Sequence, residues 1–504
     1  MTHRFPPTAV TKRELALGLT VLLLAGLFAG WHLTDWPVKL RYPSEQSYGE
    51  GVQLAVMVHL REGAAVYALP TNEKFDAAIY GPLYYLFGAR LVDPQAPAYL
   101  PLRLLSLFGT LGCAAGCSLL AFWTSRSILS AVLGPLIFLS FGFVTNHGLS
   151  VRPDLVALLL CFSGFLVAYR FRQSRGLLAA VPLMVLGIYY KQQFVAGPIA
   201  VFLYLLLEKR YRLAAQFAGL MALGGATLLG TLEWAAFPGQ AFLTHFVAYN
   251  LLPFSLLHFL LGLAHFGLTF VVPLLMGLEF LRVHVDRLLR CYLGCVVALA
   301  LLSFARPGSD SNYFLECTLL LSALVAALVA RNLSGPLSVS ELLVLLGITL
   351  FFAQWFARPA PRAEDFARDR AMQQYLRDKF PRHALALGPF PGDFVRAGLG
   401  APVCDLFQYA QLIRSGKLSD TDLLAQLRER RFAVIVADYE LMGGGRNRTR
   451  GDRLPQSWTE AIVQNYQQVA TLEMPAPQKF LPEDRYYIWV PGSRLESSQP
   501  ASPR

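Results

Sequence analysis

The sequence predicts a polytopic α-helical membrane protein of about eleven transmembrane helices, followed by a small extracytoplasmic α/β domain. Three observations predict it. Of 504 residues, 55 % are hydrophobic and only 15 % charged. Apolar runs of about 17 to 25 residues recur, the length that crosses a hydrocarbon core of roughly 30 Å. Lys and Arg collect between alternate runs, the distribution that orients a polytopic chain with its basic loops inside. This distribution also accounts for the net charge of +11, so nucleic-acid binding is not implied.

The first span, about 15–34, follows Arg4, Lys12 and Arg13. It is long for a signal peptide and lacks a small-residue cleavage site, so it reads as an uncleaved helix with a cytoplasmic N-terminus. Further spans fall roughly at 101–123, 128–145, 153–170, 176–189, 194–208, 213–235, 254–281, 288–305, 313–330 and 341–357. The inner loops then carry Arg126, Arg170 to Arg175, Lys209 to Arg212, Arg282 to Arg290, and Arg331. The stretch 176–208 is divided in two because one long helix would put Lys209–Arg212 outside. Transmembrane residues 1–357 thus enclose a first outer loop, 35–100, and precede an α/β domain at 358–492 and a Ser- and Pro-rich disordered tail at 493–504.

In the outer loop, a helix from Glu50 to Glu62 ends at Gly63, and its apolar residues Val52 to Leu60 suit a helix lying on the membrane surface. In the α/β domain, strand-like runs (His383–Leu387, Phe432–Ala437, Tyr486–Val490) alternate with helix-like ones (Asp420–Arg430, Trp458–Tyr466). Ser419 and Asp420 provide a helix start. No internal repeat is evident, which weighs against the duplicated halves common in transporters.

Six of the seven cysteines lie in apolar segments and only Cys404 in a soluble one, so no disulfide framework is implied. His147, His245, His258 and His265 are scattered without ligand spacing, and no dedicated metal site is expected. Asn447-Arg448-Thr449 matches the glycosylation pattern, a motif short enough to arise by chance.

The residues able to carry chemistry face outward. Glu45 and Glu50 stand in Tyr42-Pro43-Ser44-Glu45-Gln46-Ser47-Tyr48-Gly49-Glu50-Gly51, just after the first span. A carboxylate there can take a proton from an attacking hydroxyl, or simply cap an interfacial helix; the residues alone leave both open. Arg152-Pro153-Asp154 enters a span, where Asp154 can aim the Arg152 guanidinium at a phosphate or only fix helix positions. Lys191, on a very short outer loop with Gln192, is a phosphate partner or a snorkelling anchor. Arg306, Asp310, Asn312, Tyr313 and Glu316 form another polar outer edge, and Arg41, Arg61, Lys74, Asp76 and Arg103 add outward charge.

The order of Tyr48-Gly49-Glu50-Gly51, Gly63 with Tyr67, Tyr80-Gly81-Pro82-Leu83-Tyr84-Tyr85, Arg152-Pro153-Asp154, Lys191-Gln192 and Asn312-Tyr313 with Glu316 resembles the GT-C superfamily of integral-membrane glycosyltransferases. The resemblance is to the bacterial branch related to protein O-mannosyltransferases and the lipid A aminoarabinose transferase (glycosyltransferase family 39-like), and it covers most of 15–330. It implies transfer of a sugar from a polyprenyl-phosphate donor to a lipid or glycan hydroxyl, with inversion, at the outer face of a bacterial inner membrane. Glu50 would be the base and Glu45 a secondary candidate. Lys191, Arg152 and Asp154 would serve the donor phosphate, and Tyr48, Tyr80, Tyr84, Tyr85, Gln192, Asn312, Tyr313 and Glu316 the substrates. No certain cofactor follows, and a divalent ion bridging Glu50 and the phosphate is left open. The chain departs from the usual Asp-Glu or Asp-Asp signature, and Tyr80-Gly81 stands where the lipid A enzymes carry a Lys. The rival reading is a transporter or flippase that binds lipid-linked sugars without transferring them.

Overall fold

The computed structural model describes residues 11–69, 74–76, 78–306, 308–333, 339–442, 454–474 and 485–492. The Asn447 motif and the tail from 493 lie outside these described residues. A helix occupies each stretch read as a span: Lys12–Leu33, Leu100–Ser125, Ile128–Ser140 continued by Gly142–Gly148, Asp154–Arg170, Val181–Tyr190, Ala196–Leu207, Tyr211–Ala235, Leu256–Val283, Arg287–Phe304, Leu315–Asn332 and Val339–Ala353. Among the described residues, six helices are long and apolar enough to cross a membrane, or seven if the pair bent by 77° at Phe141 is counted as one span. The remaining four are shorter. The chain is an integral membrane protein.

Local chemistry explains where these helices begin and bend. The first starts at a capping box: Thr11 Oγ1 accepts from Glu14 N–H, and the Glu14 carboxylate accepts from Thr11 N–H. At the bend, Ser140 C=O has lost its helical partner and accepts from the Gln354 amide instead (2.9 Å). The helix Leu315–Asn332 is the hub of the bundle, with every residue from Leu315 to Val329 buried.

The loop helix Glu50–Arg61 is not lying on a membrane surface. Every residue from Glu50 to Val58 is buried, because the helix is clasped between Pro82–Leu91 and Pro391–Ala397 of the C-terminal region. Its apolar residues serve that packing. Two glycines permit it. Gly49 takes φ +93° at the helix start, and a Cβ on Gly51 would lie 2.7 Å from the Gly392 backbone nitrogen.

The C-terminal region begins with the helix Ala363–Lys379 and holds a four-stranded sheet of β1 (Ala386–Leu387), β2 (Val434–Ala437), β3 (Tyr466–Glu473) and β4 (Arg485–Pro491), in the order β1-β2-β4-β3. β1 pairs parallel to β2, and β4 runs antiparallel to both β2 and β3. β3 was not foreseen. Its outer edge leaves most of Gln467–Glu473 exposed, so it lacks the apolar signature of a core strand. Thr421–Arg428 does begin at Asp420, but the cap is made by Ser419 Oγ, which accepts from Thr421 N–H (3.2 Å). Asp420 Oδ2 instead accepts from Trp458 Nε1 (3.0 Å), tying this helix to Gln456–Asn465.

Candidate active site

The loop between the first span and Glu50 is organised by Arg103, from the helix Leu100–Ser125. Arg103 was expected to face outward, yet it is wholly buried. Its Nε donates to Glu50 Oε1 (3.0 Å) and its Nη2 to Glu50 Oε2 (2.9 Å). The rest of the guanidinium donates to the carbonyls of Lys39, Tyr42 and Ser44. Glu50 also accepts from Val151 N–H (2.7 Å) and Gln46 N–H. A carboxylate gripped by four donors, with no exposed surface, has little capacity left for a substrate proton. Each Glu50 oxygen is thus held by two of the protein's own donors.

Glu45 is also buried, beneath Tyr99 and against the Gly51–Gly392 crossing. Neither of its oxygens has a geometric hydrogen-bond partner. Burial pushes its pKa well up, with the charges of Asp393 and Glu50 adding to the effect. Tyr84 and Tyr85 turn into the protein, against Tyr190 and Tyr67 respectively. Glu316 accepts from Tyr292 OH (2.8 Å) inside the bundle. Apolar neighbours and short periodicity concealed these inward orientations.

Seven of the expected residues do converge. Tyr48, Tyr80, Arg152, Lys191, Gln192, Asn312 and Tyr313 all line one cavity of about 670 Å³ between the helical bundle and the α/β region. Asp154 stands directly behind it. Its Oδ1 pairs with Lys191 Nζ and accepts from Asn312 Nδ2 (2.8 Å), so it orients Lys191 and not Arg152. Lys191 also lies over the Tyr80 ring (5.0 Å). The Arg152 Nη2 donates to Tyr48 C=O (2.6 Å), while its buried Nε has no partner. Gln192 donates to the carbonyls of Ile79 and Phe246, which fixes the loop.

The cavity also contains Arg306 and Asp310, read from the sequence as part of a polar outer edge, and Asp405 and Asp438, which were not singled out. Arg306 donates to Asn250 C=O (2.7 Å) and Tyr313 OH (3.0 Å), making a third cation in the wall. The carboxylates in the lining are Asp310, Asp405 and Asp438. Asp310 lies within 4 Å of both Arg358 and the His147 ring, and these two groups with Arg152 hold its pKa below the usual carboxylate range despite burial. Asp405 accepts from Tyr48 OH and from Gln408 N–H (2.9 Å), with no cation paired to it among the described residues. It begins the helix Leu406–Arg414, so a sequence reader sees a helix cap. Only the docking of the α/β region brings it to Tyr48.

A bundle of apolar helices, roofed by an α/β region and holding a cation-lined cavity at the junction, is the architecture of the chain. No protein-family model and no curated protein matches the chain. Among solved structures it is similar to ArnT from Cupriavidus metallidurans in the apo state, with TM-score 0.58 and 12 % identity over 94 % of this chain and 98 % of that one. ArnT bound to undecaprenyl phosphate matches likewise, with TM-score 0.57 and 11 % identity over 94 % and 99 %. The chain has an ArnT-like fold.

Proposed function

We propose that this protein is a membrane glycosyltransferase that moves a sugar from a polyprenyl-phosphate carrier to a hydroxyl of a lipid or glycan, at the extracytoplasmic face of a bacterial inner membrane. The observation that carries this reading is the convergence of Arg152, Lys191 and Arg306 on one cavity beside the Tyr48–Asp405 pair. Similarity to a structure that holds undecaprenyl phosphate supports the lipid-linked donor. The α/β region then lies outside and the N-terminus inside.

In this reading the donor phosphate sits against the three cations. Tyr80, Gln192, Asn312 and Tyr313 shape its surroundings, and Asp154 positions Lys191. The acceptor oxygen attacks the anomeric carbon as the bond from that carbon to the phosphate oxygen breaks. The bonding electron pair leaves with the polyprenyl phosphate, whose charge the cations stabilise. The hydroxyl proton passes to a carboxylate. Asp405 takes that part here, because it faces the cavity without a cation bound to it among the described residues; Glu50 holds the loop in place. Attack opposite the leaving phosphate inverts the anomeric configuration.

The test uses the full chain in nanodiscs, given labelled polyprenyl-phosphate sugars and envelope lipids. Wild type is expected to transfer label, and Lys191→Met and Arg152→Gln to lose it by roughly 10²-fold or more. Movement of labelled donor across sealed vesicles without any transfer would replace this reading with the flippase.

A further inference from the structure

His59, Asp76 and Cys404 come from the loop helix, the segment after it and the α/β region, yet their ligand atoms lie within 4.8 Å of one another. His59 Nδ1 is 2.7 Å and Cys404 Sγ 3.2 Å from Asp76 Oδ1, and the sulfur is 3.7 Å from the His59 nitrogen. Asp76 and Cys404 are buried, and His59 nearly so. From these positions we propose that His59, Asp76 and Cys404 form a zinc site that clamps the α/β region onto the first loop. It is separate from the cavity, whose lining includes none of the three.

The geometry is close to that of a bound ion. Tetrahedral Zn²⁺ with bonds of about 2.0–2.3 Å sets its ligand atoms about 3.3–3.7 Å apart. The two sulfur distances already fall near this range, and only the His–Asp pair needs to open by about half an ångström. A nitrogen, an oxygen and a sulfur ligand suit zinc better than magnesium or calcium, which prefer oxygen alone. The charges suit burial too: a neutral imidazole, a carboxylate and a thiolate together cancel a divalent cation. Lys74 Nζ pairs with the other carboxylate oxygen, Oδ2 (3.0 Å), and leaves Oδ1 turned to the centre. Water, or the Ala401 carbonyl 3.5 Å from the sulfur, completes the coordination.

The backbone has prepared the site. Phe75 N–H donates to Pro402 C=O (2.8 Å) and Cys404 N–H to Phe75 C=O (3.0 Å), a parallel bridge that fixes Asp76 and Cys404 side by side. An ion here joins three segments that the chain separates widely. It also steadies Asp405, the residue after Cys404, against Tyr48.

The full chain, purified in detergent without chelators and dialysed against zinc, should contain about one zinc per chain by elemental analysis. Cys404→Ser and His59→Ala should bind it at least roughly tenfold more weakly. A chelator should lower the unfolding temperature of wild type, on the order of 5 °C, and leave the variants unmoved. Equal zinc in wild type and Cys404→Ser would overturn the proposal. So would a cobalt-loaded wild type without thiolate-to-metal charge-transfer absorption, a reading that needs no variant to fold. None of these measurements depends on glycosyl transfer.

Discussion

Glu50 and Arg103 are each shut off from solvent, and each is tolerable there only because the other neutralises it. Arg103→Met should leave an uncompensated buried carboxylate and destabilise the protein by about 3–5 kcal/mol, seen as a large fall in the thermal unfolding midpoint. Glu50→Gln leaves the Arg103 charge uncompensated and turns an amide NH2 toward two donors, so it should cost about 3–5 kcal/mol as well. Asp405→Asn should leave the unfolding midpoint close to wild type while cutting kcat by about 10²–10⁴. A folded Glu50→Gln protein without transfer, alongside an active Asp405→Asn, would reverse these two assignments. At this scale the sequence was a partial guide. Lys191, Arg152 and Asn312 stand at the cavity edge where their order along the chain suggested, since an ion or amide at the end of an apolar run has few other places to go. The direction in which Glu50 points was hidden, because nothing local to Tyr48–Gly51 announces Arg103, half a hundred residues later.

Among the elements, the helix Glu50–Arg61 shows how little clearance the docking allows. A methyl group on Gly51 would meet both the Glu45 carboxyl and the Gly392 backbone, and backbone cannot step aside. Gly51→Ala should therefore cost about 1–3 kcal/mol and loosen the α/β region, checked by faster limited proteolysis after residue 358. In the sequence Gly51 stood out only as part of Tyr48-Gly49-Glu50-Gly51. The structure gives Gly51 to another stretch of the same chain. The spans were more legible, since an apolar run of sufficient length admits few alternatives, whereas the exposed β3 carried no such pattern.

Across the whole molecule, the junction of bundle and α/β region buries two acids close together, Glu45 and Asp393. Burial raises both, Asp393 to about 7, with Arg396 opposing and Asp369 adding to the shift. A carboxyl raised in the folded state holds its proton more tightly there than in the unfolded chain. Its stabilising effect is complete below the ordinary carboxylate value near 4 and is lost as pH climbs through the raised value. The unfolding midpoint should accordingly fall as pH rises from about 5 to 8. Glu45→Gln should flatten that fall and gain most at the alkaline end, as read by unfolding scans across pH.

The sequence by itself determined the membrane class, the places of the helices and the presence of an α/β region. Those follow from run length, charge between runs and local propensity, all properties of contiguous residues. The tertiary structure decided which polar groups share a cavity and which are spent on the fold. Tyr48 meets Asp405, and His59 and Asp76 meet Cys404, only when the α/β region closes on the first loop, and Glu50 meets Arg103 only when that loop packs onto the helix Leu100–Ser125. Burial and partner together set what a carboxylate can do, and neither is written in its neighbours along the chain.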